Sequence, residues 1–320
     1  MRRAVPMGLA AVLVGACDPA PRPVPIDRAA HEAEVAAFAA TREAELEAPD
    51  SWLSLIGLHW LEQGETTLGA APDNDIVLPE GKAAPRVGRL RVEGTAVRFV
   101  AEPGVRVIQG VDSTIALSAG TGAIPPDTTA DPEVAEADLS ASPGPGKYVV
   151  LRHGPVNWIV IRRGDRVALR LRDNENEVYR AFQGIERYPT SLDWRVTARW
   201  VPHDKTVAVP DVLGEVSEEP SPAALEFWID GERHTLDVTG DPDAARHMLV
   251  FADETSGRET YGGGRYLWVD RPDERGRVVI DFNKAYNPPC VWTPFATCPL
   301  PSRDNRLALA VEAGEKDWAH

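Results

Sequence analysis

The residues best suited to chemistry lie in a polar stretch between residues 253 and 316. It contains three candidate catalytic carboxylates, Asp253, Asp281 and Glu315. A hydrolase needs two such groups, one to donate a proton and one to accept it, and we expect Asp281 to pair with either of the others. On a strand, Asp281 and Asn283 would point to the same face. Burying that face is costly unless a ligand or the loop backbone supplies hydrogen-bond partners.

Arg265 is the centre of a candidate binding site. Three glycines precede it, and backbone N–H groups in such a turn can face an anion beside the guanidinium. The alternative is a hairpin loop whose arginine pairs with a carboxylate. The other candidate ligand-binding residues are Tyr261, Tyr266, Asn283, Tyr286, Asn287, Trp292 and Asn305. Aromatic rings beside amides and carboxylates are typical of sites for sugar-like molecules.

Cys290 and Cys298 lie in the proline-rich stretch DFNKAYNPPCVWTPFATCPLP. Prolines remove hydrogen-bond donors, so this loop needs other braces, and a disulfide between the two cysteines is the favoured interpretation. Unpaired core thiols are the next alternative. Zinc would need further ligands such as His203, His234 or His247, and a nucleophile would need a base and a lowered pKa. No cofactor is predicted.

The N-terminus predicts export and a lipid anchor. Arg2 and Arg3 precede a short apolar run, Met7–Val14, and small residues then lead to Cys17. This pattern is typical of a secretory signal, here over residues 1–16, and a cysteine after small residues resembles the lipobox of bacterial lipoproteins. We therefore expect lipidation at Cys17 and a position on the periplasmic face of a bacterial membrane.

Asp18, directly after that cysteine, resembles an inner-membrane retention signal. The proline-rich residues 17–26 are expected to form a tether. An oxidising compartment and two remaining cysteines are the reason that a disulfide is favoured.

The formal net charge is −15 and the calculated pI is about 5.0. An acidic chain without a basic stretch is unsuited to nucleic acid, because phosphate binding depends on lysine and arginine. An anionic bilayer would also repel it, which leaves the predicted lipid as its membrane contact.

Periodicity predicts one helix followed by a mainly β fold. The spacing of apolar residues over 27–48 favours an amphipathic helix, with His31 expected in solvent. The period then changes to two, and the strands are expected to form two sandwich- or barrel-like domains, residues 50–175 and 185–319. Predicted strands include Val105–Ile108, Trp194–Val201, Thr206–Val209 and Leu307–Val311, with hairpin turns at Arg163-Gly164-Asp165 and Asp230-Gly231. Residues 119–147 lack large apolar groups and are interpreted as a mobile insertion.

Two resemblances accompany this pattern. Residues 67–79 (TLGAAPDNDIVLP) resemble the opening of forkhead-associated sandwiches, but Ala70 stands where their arginine would be, so no phosphothreonine peptide is expected as a partner. From residue 51 onward, the segments WLSLIGLHWLEQGETTLG, LRLRD, YPTSLDWRVTARW, ETYGGGRYL, DFNKAYNPPC, CPLPSRDNRL and AGEKDW resemble the family known as domain of unknown function 1684. That resemblance implies the extent of the fold and the place of the site, but no reaction. It also implies a point against the disulfide, because family members in cytoplasmic settings carry similar cysteine-containing stretches.

Three functions fit these observations. The sequence lacks the GxSxG, HExxH, P-loop and Rossmann motifs, so a binding module for a small sugar-like or anionic molecule is favoured. A hydrolase that uses a carboxylate pair at the same site is the second. A scaffold lipoprotein without a pocket is the third.

Overall fold

The computed structural model describes residues 20–112, 133–140 and 147–318. The predicted signal peptide, Cys17 and Asp18 lie outside these ranges, as does most of the predicted insertion at 119–147. The protein is mainly β, as the sequence predicts. None of the helices that the structure describes has both the length and the apolar composition that a bilayer-spanning segment requires.

The first half of the chain forms a β-sandwich, which we call the N-terminal sandwich. Its strands are β1 (Leu55–Trp60), β2 (Gly64–Gly69), β3 (Ile76–Val77), β4 (Gly88–Glu93), β5 (Ala96–Ala101), β6 (Ile108–Asp112), β7 (Glu136–Asp138), β8 (Tyr148–His153), β9 (Val156–Arg163) and β10 (Arg166–Asp173). They form two five-stranded sheets, ordered β1-β10-β9-β8-β6 and β3-β2-β4-β5-β7. Strand β7 lies within the predicted insertion and pairs with β5.

Alternating side chains from both sheets fill the sandwich. In β4, Gly88, Leu90 and Val92 are buried, while the residues between them are exposed or half-buried. Phe99 from one sheet packs against Trp158 from the other, with ring centroids 5.4 Å apart. This alternation is the period-two pattern of a strand with one face on the core.

The second half of the chain forms the C-terminal sheets. Their strands are β11 (Arg195–Pro210), β12 (Val216–Ile229), β13 (Glu232–Asp237), β14 (Arg246–Phe251), β15 (Arg265–Asp270) and β16 (Arg277–Asp281). A four-stranded sheet, β13-β12-β11-β16, shares a core with the ribbon β14-β15. Phe282, just after β16, lies 5.3 Å from Phe251 and 5.8 Å from Phe227, ring centroid to ring centroid. Both sheets therefore pack around the segment that carries the candidate site.

Helix α1 (Arg28–Glu47) begins at Asp27, whose side chain accepts a hydrogen bond from the Ala30 N–H at 3.1 Å. A second, short helix, α2 (Glu177–Ala181), follows the N-terminal sandwich. The buried residues of α1 are His31, Val35, Arg42 and Leu46, whose spacing places them on one helical face.

The expectation that His31 is solvated is wrong. Its side chain is fully buried, and its Nε2 lies 2.9 Å from Asp281 Oδ2. The helix docks this face on the end of β16, which the sequence of the helix by itself does not reveal.

Most predicted strands are present, with three corrections. Trp194–Val201 and Thr206–Val209 are parts of one strand, β11, interrupted by an irregularity between Pro202 and Lys205. The predicted strand at 105–108 is wrong, because residues 102–105 form a turn and β6 starts at Ile108. The predicted strand at 307–311 is also wrong. That segment makes isolated backbone hydrogen bonds to residues 252 and 254 and instead buries Leu307 and Val311 in the core.

Both predicted hairpin turns are confirmed. Strand β9 ends at Arg163 and β10 begins at Arg166. Between β12 and β13, Asp230 and Gly231 have φ angles of 51° and 81°. Two consecutive positive φ angles define the turn that matches the twist of a two-residue hairpin.

Candidate functional site

Glu315 lies at the centre of a buried charged cluster beneath helix α1. Its side chain is fully buried, and its Oε1 accepts hydrogen bonds from Arg42 Nε at 3.3 Å and Arg187 Nη1 at 3.1 Å. Its Oε2 accepts a hydrogen bond from the backbone N–H of Asn287 at 2.7 Å. One carboxylate thus joins the helix, the segment before β11 and the loop after β16.

Arg265 and Asp253 form a second buried ion pair. Arg265 Nη2 donates to Asp253 Oδ2 at 2.5 Å, and the guanidinium also donates to the backbone carbonyls of Val311 and Ala313. The other oxygen of Asp253 accepts from the backbone N–H and hydroxyl of Thr255. Of the two interpretations of Arg265 that the sequence allows, an anion site or an arginine paired with a carboxylate, the structure has the second.

Asp281 and Asn283 brace the turn that follows β16. Asp281 Oδ1 accepts from the Asn283 backbone N–H at 3.2 Å and from Asn283 Nδ2 at 2.8 Å, while Oδ2 faces His31. Asn283 also exchanges two hydrogen bonds with the backbone of Ser191. These partners come from the protein itself, so the buried carboxylate and amide are satisfied by loop backbone and by the helix.

The other predicted binding residues also have structural contacts. Asn305 uses its amide in three hydrogen bonds to the backbone of Asp237 and Val250. The Tyr266 hydroxyl donates to the Pro299 carbonyl, Trp268 Nε1 donates to the Tyr286 hydroxyl, and Asn287 Nδ2 donates to the Lys316 carbonyl. Trp292 packs against Phe182 and Trp318, with Tyr261 at the edge of the same apolar group. The roles predicted for these residues stay predictions.

A cavity of about 400 Å³ lies between β11, β14, β15 and the segment 299–305. We call it the Trp268 cavity. Its lining residues are Val209, Glu219, Thr239, Gly240, Asp241, Ala244, Arg246, Met248, Val250, Trp268, Pro299, Leu300, Ser302 and Asn305. Among the predicted site residues, the lining includes Asn305, whereas Asp253, Asp281 and Glu315 lie elsewhere.

The interior of the Trp268 cavity is largely apolar. Because the indole N–H of Trp268 donates to Tyr286, the ring has no N–H to offer a ligand. Asn305 has its amide occupied in the same way. The hydroxyl of Ser302 is different, since it is buried and has no hydrogen-bond partner among the described residues. It is a buried polar group of the lining whose hydrogen bond no described residue satisfies, whereas Glu219, Asp241 and Arg246 add charged groups to the same lining.

A second cavity, of about 460 Å³, lies beside helix α1 and the C-terminal segment. Its lining residues are Glu43, Gln183, Gly184, Ile185, Glu186, Lys316, Asp317 and Trp318. The lysine is paired with Glu186 at 2.8 Å, and Glu43 accepts from the Ile185 backbone N–H. Its charged groups therefore already have partners.

Cys290 and Cys298 are adjacent free thiols. The backbone N–H of Cys290 donates to Cys298 Sγ at 3.2 Å, and the Cys290 thiol donates to the Ala296 carbonyl at 3.5 Å. A hydrogen bond with Cys298 lowers the pKa of the Cys290 thiol, whereas burial raises the pKa of Cys298. The disulfide stays a prediction, and the structure shows that the two side chains are close.

No group of three or more His, Cys, Asp or Glu side chains in the described part of the chain is arranged to hold a metal ion. Of the histidines considered for zinc, His203 contacts the Ser221 carbonyl and Asp237. His234 stacks on Phe227, and His247 packs against Trp200.

Burial raises the pKa of Tyr261 and of Tyr286 to about 12. A raised folded-state pKa gives stability that is complete below the unfolded value near pH 10 and is lost as the pH rises towards 12. We expect the free energy of unfolding to fall above pH 10, and to fall less steeply in Tyr261→Phe. Urea unfolding at pH 7, 9, 10 and 11 measures this, and equal slopes for both proteins would contradict it.

Residues 180–316 match the family model described as "Protein of unknown function (DUF1684)". The solution structure of an uncharacterized protein from gene locus rrnAC0354 of Haloarcula marismortui is 30% identical over 42% of this chain and 77% of that chain, with a TM-score of 0.36. The chain belongs to the DUF1684 family. No curated protein matches it significantly.

The matched DUF1684 segment contains Glu315, Arg265, Asp281 and both loop cysteines, whereas α1 and the N-terminal sandwich precede it. His31 and Arg42 therefore reach the family segment from outside it. Sequence reasoning missed both, and the available signal was weak: on α1, each is spaced by four residues from a buried apolar side chain, Val35 or Leu46.

Proposed function

We propose that this protein is an envelope lipoprotein that binds a small, largely apolar molecule with one hydrogen-bonding group in the Trp268 cavity. The lipid anchor rests on the N-terminal pattern that ends at Cys17. The binding role rests on the cavity. A concave, mostly apolar site with a few polar groups is the usual form of a small-molecule site.

The observation that carries the proposal is the Ser302 hydroxyl. A buried hydroxyl without a partner costs about 1–3 kcal/mol, so proteins rarely keep one without a reason. Ser302 is one of the residues that line the cavity, its hydroxyl is buried just behind that lining, and a ligand that a small rotation of the side chain reaches would supply the missing partner. The same atom would also orient the ligand, because the indole N–H and the Asn305 amide are occupied by the protein.

The walls indicate what the ligand is like. Met248, Val250, Trp268 and Leu300 present apolar surface, which suits a hydrocarbon body better than the many hydroxyls of a sugar. The volume of about 400 Å³ falls within the usual range for small-molecule sites. An amphiphile of modest size, with an alcohol or carboxylate at one end, meets both requirements.

Ser302→Ala separates a ligand contact from a structural role. We expect it to raise the free energy of unfolding by about 1 kcal/mol, because it removes an unsatisfied buried hydroxyl. We also expect it to weaken binding of octan-1-ol by about tenfold, which corresponds to about 1.4 kcal/mol. Urea unfolding and isothermal titration calorimetry measure the two effects. The matched control is Ser54→Ala, whose buried hydroxyl donates to the Ser51 carbonyl at 2.6 Å, so stability should fall and binding should not change.

A second pair of variants tests the place of binding. Ala244 lines the cavity, and Ala245 beside it is exposed. Ala244→Trp should block octan-1-ol and sodium octanoate, and Ala245→Trp should not. The proposal would be overturned if neither octan-1-ol nor sodium octanoate bound to the protein, or if the two tryptophan variants bound them equally. Binding of methyl glucoside that is lost in Asp281→Asn would instead favour the polar site predicted from the sequence.

A further inference from the structure

The surroundings of the two thiols are asymmetric. Cys298 is 4% exposed, while Cys290 is half-buried. Cys290 and Trp52 both pack against the buried cluster that contains Cys298, and the guanidinium of Arg170 lies over the Trp52 ring, 5.1 Å from its centroid. An external molecule can therefore reach one sulfur more easily than the other.

Arg170 is a buried cation that pairs with no carboxylate in the part of the chain that the structure describes. It lies in β10 and is 2% exposed, and its Nε has no hydrogen-bond partner among the described residues. Its Nη2 reaches Thr297 Oγ1, next to Cys298, at the long distance of 3.5 Å. Burial, together with the neighbouring Arg163 and Arg172, lowers the pKa of Arg170 to about 10. Since burying an unpaired guanidinium is costly, an anion beside it is the expected compensation.

The thiols of the cysteine loop can provide that anion, since Thr297, which Arg170 contacts, directly precedes Cys298, and the backbone N–H of Cys290 donates to Cys298 Sγ at 3.2 Å. Arg170 contributes to lowering the pKa of the Cys290 thiol, after the hydrogen bond from Cys298. Burial and Asp211 act in the opposite direction on the same thiol. Arg163 also reaches this loop, since its Nη2 donates to Thr297 Oγ1 at 3.2 Å, but its side chain is exposed and screened by solvent.

We propose that Cys290 and Cys298 are a redox-active dithiol that exchanges with an external disulfide, with Cys290 as the attacking sulfur, Cys298 as the resolving sulfur and Arg170 as the fixed cation that stabilises the attacking thiolate. This activity is separate from ligand binding in the Trp268 cavity. A dithiol that undergoes exchange differs from a structural brace, because its disulfide forms and breaks during function.

The reaction balances without a further reagent. The Cys290 thiolate attacks one sulfur of the external disulfide RS–SR, a Cys290–SR bond forms, and one RS⁻ leaves. Cys298 then loses its proton and attacks the Cys290 sulfur, the Cys290–Cys298 bond forms, and the second RS⁻ leaves. The two protons released by the protein thiols end on the two RS⁻ groups. The protein loses two electrons and the external disulfide gains them.

The test uses glutathione disulfide as the probe and the full chain with Cys17→Ser, so that two of its three cysteines remain. Intact mass should show loss of two hydrogens in this protein. In Cys298→Ser it should show a stable adduct of one glutathione on Cys290, and Cys290→Ser should react about tenfold more slowly or worse. Dithiothreitol should restore both thiols of the native-folded protein.

Arg170 is tested by the pH profile of Cys290 alkylation with iodoacetamide in Cys298→Ser. Arg170→Met should move the midpoint of the profile to higher pH and slow the reaction at pH 7 by about tenfold. The matched control Arg163→Met should leave the midpoint nearly unchanged. Equal alkylation of the two thiols, an unchanged midpoint in Arg170→Met, or a disulfide that dithiothreitol reduces only after unfolding would overturn the proposal.

Discussion

Glu315→Ala should destabilise the protein by about 3–5 kcal/mol, the usual result of removing one partner from a buried ion pair. The variant removes the carboxylate that Arg42 and Arg187 share under helix α1, so that Glu45 is the carboxylate still paired with Arg42, and it leaves the Asn287 backbone N–H without an acceptor. Urea unfolding followed by circular dichroism gives the difference in the free energy of unfolding.

Two further variants complete this experiment. Glu312 is exposed and three residues away, so Glu312→Ala should change stability by less than about 0.5 kcal/mol. Glu315→Gln keeps an acceptor oxygen but loses the charge. Its free energy of unfolding should lie between those of Glu315→Ala and Glu312→Ala. A Glu315→Ala protein as stable as the Glu312→Ala protein would show that the cluster does not hold the helix in place.

Arg170→Met should have the opposite effect on stability from Glu315→Ala. Replacing a buried charge by an apolar side chain of similar length removes its desolvation cost, and we expect the free energy of unfolding to rise by about 2 kcal/mol. The same variant should impair exchange at Cys290. A protein that becomes more stable and less reactive by one substitution shows that the cation is retained for chemistry, since function commonly limits stability.

Arg265→Met is the matched comparison for that variant. Arg265 is equally buried, but it pairs with Asp253 and donates to carbonyls near the C-terminus, so its loss should cost about 3–5 kcal/mol. If both methionine variants lose stability to the same extent, Arg170 has a partner that the free-thiol structure does not reveal, and its counter-ion must be sought elsewhere.

Local patterns in the sequence predict local structure well in this protein. The apolar spacing over 27–48 predicts a helix that the structure places at Arg28–Glu47. The Asp230-Gly231 pair predicts its turn because few residue pairs accept two positive φ angles. The segment 307–311 has the alternating apolar residues of a strand, which explains the wrong prediction. Its backbone, however, makes only isolated hydrogen bonds to residues 252 and 254 and no continuous ladder.

The candidate site is harder to predict, because it depends on faces that meet in three dimensions. The alternation of Arg170 and Arg172 with Leu169 and Leu171 predicts a strand, and such arginines usually point to solvent. In the folded protein the cysteine loop covers that face, so Arg170 is buried. Likewise, the carboxylate and amide of Asp281 and Asn283 stand out in the sequence, but their partners are on α1 and at Ser191.

The contacts of helix α1 also constrain how the chain reaches its native state. His31 and Asp281 are separated by 250 positions, and Arg42 and Glu315 by 273. During synthesis, the helix emerges first and its docking surface emerges almost last. Contacts between such distant positions form slowly, because the intervening chain loses entropy when its ends meet. Until then its buried face stays accessible to chaperones, so a late step of folding is expected to be the capture of helix α1 by the segment that contains Asp281 and Glu315.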